Sequence, residues 1–169
     1  MKQNPQIDTN GNKRWIANGV YHREDGPAIE FANGNTFWYV QGKFHRIDGP
    51  ACEYVNGDKE WYVDGEYHRL DGPAVESSRG NKLWYNNGER HRIGGPAREW
   101  ASGTKEWWVD GKRHRLDGPA IEYDNGSLKY AVDGWILRGP LELLKHGAKL
   151  SDIVSYLTPR EIAKIKLDK

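Results

Sequence analysis

The chain of 169 residues has one cysteine, Cys52. No intramolecular disulfide can form, and no zinc site built on several thiolates is available within one chain. No apolar run approaches transmembrane length. The start, MKQNPQIDTNG, lacks the pattern of a signal peptide, so a soluble, cytoplasmic protein is expected. Charge of one sign is lacking too: 25 basic side chains face 24 acidic ones, for a net charge of +1. A general nucleic-acid binder would be clearly basic, so that class is not expected. G-x-S-x-G, the Walker loop and H-E-x-x-H are all missing. Neither an enzyme nor a cofactor is expected.

What is present is glycine, tryptophan and tyrosine, at 20, 8 and 9 residues. They recur in strict register. HRLDGPA stands at 68–74 and again at 114–120, with looser copies HREDGPA, HRIDGPA and HRIGGPA at 22–28, 45–51 and 91–97. The histidines His22, His45, His68, His91 and His114 are each 23 residues apart. Gly11, Gly34, Gly57, Gly80, Gly103 and Gly126 keep the same interval. So do Gly19 through Gly134, and Trp15, Trp38, Trp61, Trp84, Trp107 and Tyr130. Such self-similarity marks stacked structural repeats.

One period, residues 33–55, shows how each copy is built. Asn33-Gly34 is a hairpin-turn signal, since both central residues of a type I′ turn need positive φ. NTFWYV reads as a strand, Gln41-Gly42 as a second turn and KFHRI as a second strand. Asp48-Gly49-Pro50 ends that strand: Asp can cap backbone N–H groups, Gly frees φ, and Pro removes a ladder donor. ACEYV is a third extended piece. No helix fits inside the period. Two architectures remain open, antiparallel hairpins and a parallel β-helix with one coil per period; the chain-reversing turns favour hairpins.

WWVDGKRHRLDG (107–118) and WYVDGEYHRLDG (61–72) resemble the MORN repeat, the membrane occupation and recognition nexus family. Trp107, Asp110, Gly111, Lys112 and His114 carry the likeness. The departure is His-Arg-x-Asp-Gly-Pro where the family has His-Gly-x-Gly. The resemblance covers roughly residues 10–140. It implies an all-β repeat: an elongated antiparallel β-hairpin solenoid or single twisted sheet of about six copies. Each copy would advance about 10 Å, since neighbouring strands lie about 4.8 Å apart. It also implies contact with proteins, and in some members with lipid headgroups. The tryptophan ladder is expected to supply the continuous core.

The expected organisation is an N-terminal extension at 1–9, the array at 10–140 and a helical C-terminal cap at 141–169. After residue 140 the period dissolves. PLELLKHGAKL reads as a short helix, with Pro140 at its first position and Gly147 as its stop. TPREIAKIKLDK reads as another, with Thr158 as N-cap, Pro159 next and Glu161 completing a capping box. The apolar set from Leu143 to Ile165 should seal the last hairpin, or else dock a partner helix or make an oligomer.

The candidate chemistry is sparse. Equivalent histidines about 10 Å apart cannot share a metal whose ligands lie about 2 Å away. The arginine ladder, Arg23 through Arg138, runs in step with Glu30 through Glu122. It reads as structural ion pairs, each with the Glu or turn Asp of its own or a neighbouring copy, and each His is expected to pack beside the Trp and bond a loop carbonyl. The fourth copy, 79–101, departs most from its template. Five basic residues against two acidic ones make it +3, beside a third copy at −4 from two basic and six acidic. Arg79, Arg90, Arg92 and Arg98, with Trp84 and Tyr85, are the candidate partner-binding residues, since interface hot spots favour Trp, Tyr and Arg. A non-enzymatic binding or scaffold protein with a protein partner is expected. Such a small array would suit a viral or mobile-element accessory protein that sequesters or blocks a host factor. The alternative is a sponge for nucleotides or anionic, phosphorylated lipid headgroups.

Overall fold

The computed structural model describes residues 4–167, so the ends of the expected extension and cap, 1–3 and 168–169, lie outside the described residues. The chain forms two compact units, Met1–Glu89 and Arg90–Lys169. Each is an antiparallel β-hairpin array, and the second ends in short helices.

In the first unit the strands Gln6–Ile7, Lys13–Arg14, Ile29–Glu30, Thr36–Phe37, Cys52–Glu53, Lys59–Glu60, Val75–Glu76 and Lys82–Leu83 lie side by side in that order. A second row consists of two-stranded hairpins: Ile16–Ala17 with Val20–Tyr21, Tyr39–Val40 with Lys43–Phe44, and Tyr62–Val63 with Glu66–Tyr67. Successive hairpins are tied together. The Gly42 N–H donates to the Tyr21 carbonyl at 2.8 Å, and the Arg46 N–H to the Tyr62 carbonyl at 3.1 Å. The second unit repeats the plan with Arg98–Glu99, Lys105–Glu106 and Ile121–Glu122, and the hairpin Trp108–Val109 with Lys112–Arg113. In its last copy the two rows merge into one hairpin, Leu128–Val132 with Trp135–Leu137.

The strand expected across NTFWYV is therefore broken at its tryptophan. The Trp61 N–H donates to the Ala74 carbonyl at 2.8 Å, while its own carbonyl accepts the His68 N–H at 3.1 Å. The tryptophan backbone is the corner between the rows, tied on one side to the end of the motif and on the other to its start.

The turn chemistry is reversed from expectation. Gln41 and Gly42 have φ of 49° and 77°, so the type I′ turn is the second one, in every copy. At the first turn only the glycine is left-handed, Gly34 at 97°, and Asn33 instead accepts the Asn35 N–H on its side chain at 3.1 Å.

The motif glycine also has another reason. Gly72 is not left-handed; a Cβ there would lie 2.8 Å from the Arg69 guanidinium carbon. That guanidinium is held on all sides. Its Cζ sits 4.0 Å over the Trp61 ring. Nε donates to Asp71 at 2.9 Å, and Nη1 to the Pro73 carbonyl at 3.2 Å and to Glu76 at 2.8 Å. The same set recurs at Arg23, Arg46 and Arg115. The motif aspartate thus grips an arginine.

The tryptophans are roofed by these arginines rather than forming the innermost core. Trp15 is buried, but Trp38, Trp61, Trp84 and Trp107 are only partly so. The innermost side chains are the motif alanines: Ala28, Ala51, Ala74, Ala97 and Ala120 are all fully buried.

Each histidine ties one copy to the next. Asp64 donates its backbone N–H to His45 Nδ1 at 3.2 Å, and Asn87 does so to His68 at 3.2 Å. The partner is an N–H of the following turn, not the expected loop carbonyl.

After Pro140 the chain forms a 3-10 helix, Pro140–His146, then Leu150–Ile153, Val154–Tyr156 and Pro159–Leu167. Gly147 ends the first in the left-handed region at φ 92°. Thr158 and Glu161 form the expected capping box: the Thr158 N–H donates to Glu161 Oε2 at 2.8 Å, and the Glu161 N–H to Thr158 Oγ1 at 3.3 Å. Leu143, Ile153 and Leu157 pack with Tyr130 and Val132 of the last hairpin, and Leu116 joins them. This is a helical cap on the array.

Candidate functional site

Side chains alternate across a strand. With Trp61 on one face, Glu60 and Tyr62 must lie on the other. That second face bears a ladder of rings in the first unit. Tyr21 and Tyr39 have ring centroids 5.4 Å apart, and Tyr39 stacks on Phe44 at 4.2 Å. Phe44 stacks on Tyr62 at 5.0 Å, Tyr62 on Tyr67 at 4.2 Å, and Tyr67 on Tyr85 at 5.0 Å. Phe31, Phe37 and Tyr54 border it, with Phe37 edge-on to Tyr54 at 5.4 Å. All these rings are only partly buried. Each side chain stands in step with the hairpin row beneath it, so the repeat itself sets the spacing.

The chemistry of this face is that of desolvated polar groups. Burial pushes Tyr39 up to about 12 and raises Tyr54, Tyr62 and Tyr67 as well. Cys52 is fully buried beside them, and burial lifts its thiol far above neutrality, so it is no nucleophile. Glu60 is raised, first by burial, while Tyr62 donates its hydroxyl to Glu60 Oε2 at 3.2 Å.

In the second unit the corresponding face is charged. Glu106, 5% exposed, accepts from Arg98 Nη1 at 3.3 Å, Arg113 Nη2 at 3.2 Å, Trp100 Nε1 at 3.4 Å and Trp108 Nε1 at 3.2 Å. Arg98 lies 3.7 Å over Trp100, and Arg90 and Arg113 lie 5.0 and 4.8 Å from the Trp108 ring.

The structure distributes the candidate residues of the fourth copy over different surroundings. In the second unit, Arg90 and Arg98 meet in the Trp108–Glu106 cluster, and Arg98 is largely buried there. Arg92 sits in its motif loop, bonded to the Pro96 carbonyl and to Glu99, both at 3.1 Å. Its side chain is 34% exposed, against 22% for Arg69, because Gly94 replaces the aspartate that would grip it. In the first unit, Arg79 stands exposed on the Ser77–Asn81 turn, Trp84 takes a half-buried corner slot, and Tyr85 ends the ring ladder. Sequence reasoning missed Tyr39, Phe44, Tyr62 and Tyr67 as one surface of the first unit, with Glu60 among them, and it missed Glu106 in the second unit. The signal was the alternation about each tryptophan.

The tryptophan face carries a cleft of about 510 Å³ between neighbouring motif loops, lined by Trp38, Val40, His45, Arg46, Ile47 and residues of the preceding loop. Its arginines are already held by carboxylates. Among the described residues no group of three or more His, Cys, Asp or Glu is placed to hold a metal, and no helix is long and apolar enough to cross a membrane. In comparison with known proteins, no family model and no curated protein matches the chain.

Proposed function

We propose that this chain is a non-enzymatic binding protein of MORN-like build that engages a protein partner through its tyrosine face. The observation that carries the reading is the ladder of six half-buried rings from Tyr21 to Tyr85. Aromatic stacking contributes about 0.5–1.5 kcal/mol per pair beyond area burial, but a ring left half in water has further apolar area to bury. Rigid, amphipathic tyrosines bury such area on binding with little loss of side-chain freedom, and they are enriched at interfaces. An intracellular setting goes with the reading, since no disulfide framework braces the repeats. As an accessory protein of a virus or mobile element it would act by covering a host factor's surface rather than by chemistry.

The nucleotide or anionic-lipid sponge loses its main support, because Arg23, Arg46, Arg69, Arg92 and Arg115 of the ladder are answered within their own repeats by Asp or Glu. The test is affinity capture from the native cell, with mass spectrometry, by the wild type and by a Tyr39→Ser/Tyr62→Ser variant checked for folding. A protein captured by the first and lost by the second supports the reading. A protein captured equally by both, or recovery of nucleotides or lipids instead, overturns it.

A further inference from the structure

Glu60 in the first unit and Glu106 in the second occupy equivalent positions, two periods apart, and differ in what surrounds them. Across the copies this slot holds Arg14, Phe37, Glu60, Leu83, Glu106 and Lys129. Glu106 lies opposite Arg98 in the register, and Glu60 lies opposite Cys52. Trp100 and Trp108 correspond to Tyr54 and Tyr62, and Arg113 to Tyr67. Around Glu106 the protein supplies its own guanidinium: Arg98 lies flat on Trp100 and donates to the carboxylate. Around Glu60 the rings and the carboxylate are kept, but the arginine is replaced by the short, fully buried Cys52. Tyr67 takes the place of Arg113, stacking on Tyr62 at 4.2 Å. Burial and the like charge of Asp58 act to raise Glu60 and tyrosine hydroxyls to lower it, and none of these influences is a cation.

Resting on the binding function proposed above, we infer that Glu60, with the rings of Tyr54 and Tyr62, receives an arginine guanidinium from the protein partner. The Glu106 cluster is the same arrangement filled from within. A guanidinium fits the geometry because it is flat: it can stack on a ring while its N–H groups reach a carboxylate. It also supplies the charge that a half-buried carboxylate among tyrosines lacks. The tyrosine ladder on either side would bury the apolar surroundings of that arginine, making it the anchor of the interface.

The full-length protein can be titrated with Nα-acetyl-arginine amide and followed by NMR on its tyrosine ring signals. Nα-acetyl-citrulline amide, the same shape without charge, is the control. The expected result is a saturable shift of Tyr54, Tyr62 and Tyr67 with the arginine probe alone. Glu60→Gln, which keeps the shape and the tyrosine hydrogen bond, should weaken that response about tenfold. No saturable shift, an equal response to citrulline, or an unchanged affinity in Glu60→Gln would each overturn the assignment. Partner capture that still depends on Tyr39 and Tyr62 while the arginine probe fails removes the guanidinium but leaves the binding face standing. Loss of both removes the face as well.

Discussion

Glu106 is a heavily committed side chain in the second unit. Its side chain is 7% exposed, and its carboxylate meets two guanidinium groups and two indole N–H groups. Glu106→Gln removes the charge and keeps the volume. Arg98, 20% exposed and stacked on Trp100, then loses the charge of Glu106 beside it. Breaking a buried pair from one side costs about 3–5 kcal/mol, but Arg113 is 38% exposed and regains water. We therefore expect about 3 kcal/mol. At about 2–4 °C of melting temperature per kcal/mol for a chain of this size, the loss is roughly 6–12 °C by calorimetry. The compensated variant Arg98→Val/Glu106→Leu recreates the Val75–Leu83 pair that the third and fourth copies already use at this register. It should recover most of the loss, since apolar replacements of buried ion pairs are often neutral or stabilising. A single variant that melts within about 1 °C of wild type would refute the idea that Arg98 depends on Glu106.

Three further outcomes follow from the repeat geometry. Gly72→Ala places a Cβ against the pinned Arg69 guanidinium and should cost about 1–3 kcal/mol in denaturant unfolding, although its φ is ordinary; a neutral result would mean that the arginine can swing away freely. Arg46 and Arg69 hydrogen bonds hold Asp48 and Asp71 below the usual carboxylate range. Because the folded values are depressed, their contribution is present above the unfolded value of about 3.9 and is lost as pH falls below it; an Asp48→Asn/Asp71→Asn protein should show a shallower loss of stability in acid. Deleting 141–169 strips Leu143, Ile153 and Leu157 from Tyr130 and Val132, so the truncated chain should aggregate or self-associate by light scattering; a monomer of unchanged stability would deny the cap.

The repeat, its hairpins and the helical end could be read from spacing alone, because they depend on local turn chemistry and on the loss of period at Pro140. The capping box was legible for the same reason: Thr158 and Glu161 are three residues apart and need no tertiary partner. What could not be read was which turn took which conformation. Asn33-Gly34 is the stronger dipeptide, yet the tight pairing of the short hairpins gives the type I′ turn to Gln41-Gly42, where Gln adopts φ of 49°. The core was misjudged because the alanine of the motif looks too small to matter, yet it is fully buried in every copy while most of the tryptophans are only partly so. The tyrosine face was hidden because the run through Trp61 looks like one continuous aromatic strand. The corner at the tryptophan and the alternation around it set the tryptophan ring on one face and its two neighbours on the other. Arg98 was recognised as a departure from its copies, but its partner Glu106 lies in the following copy, beyond what one period can show.

The central claim is that the HRxDGPA motif is architecture and that the opposite face, with its tyrosines, does the binding. Amide hydrogen exchange on the full-length protein, alone and with its captured partner, addresses both halves at once. The account predicts partner-dependent protection in the hairpins Tyr39–Phe44 and Tyr62–Tyr67, with the motif loops at 45–51 and 68–74 unchanged. Protection confined to those loops, with the tyrosine hairpins exchanging as in the free protein, would contradict it.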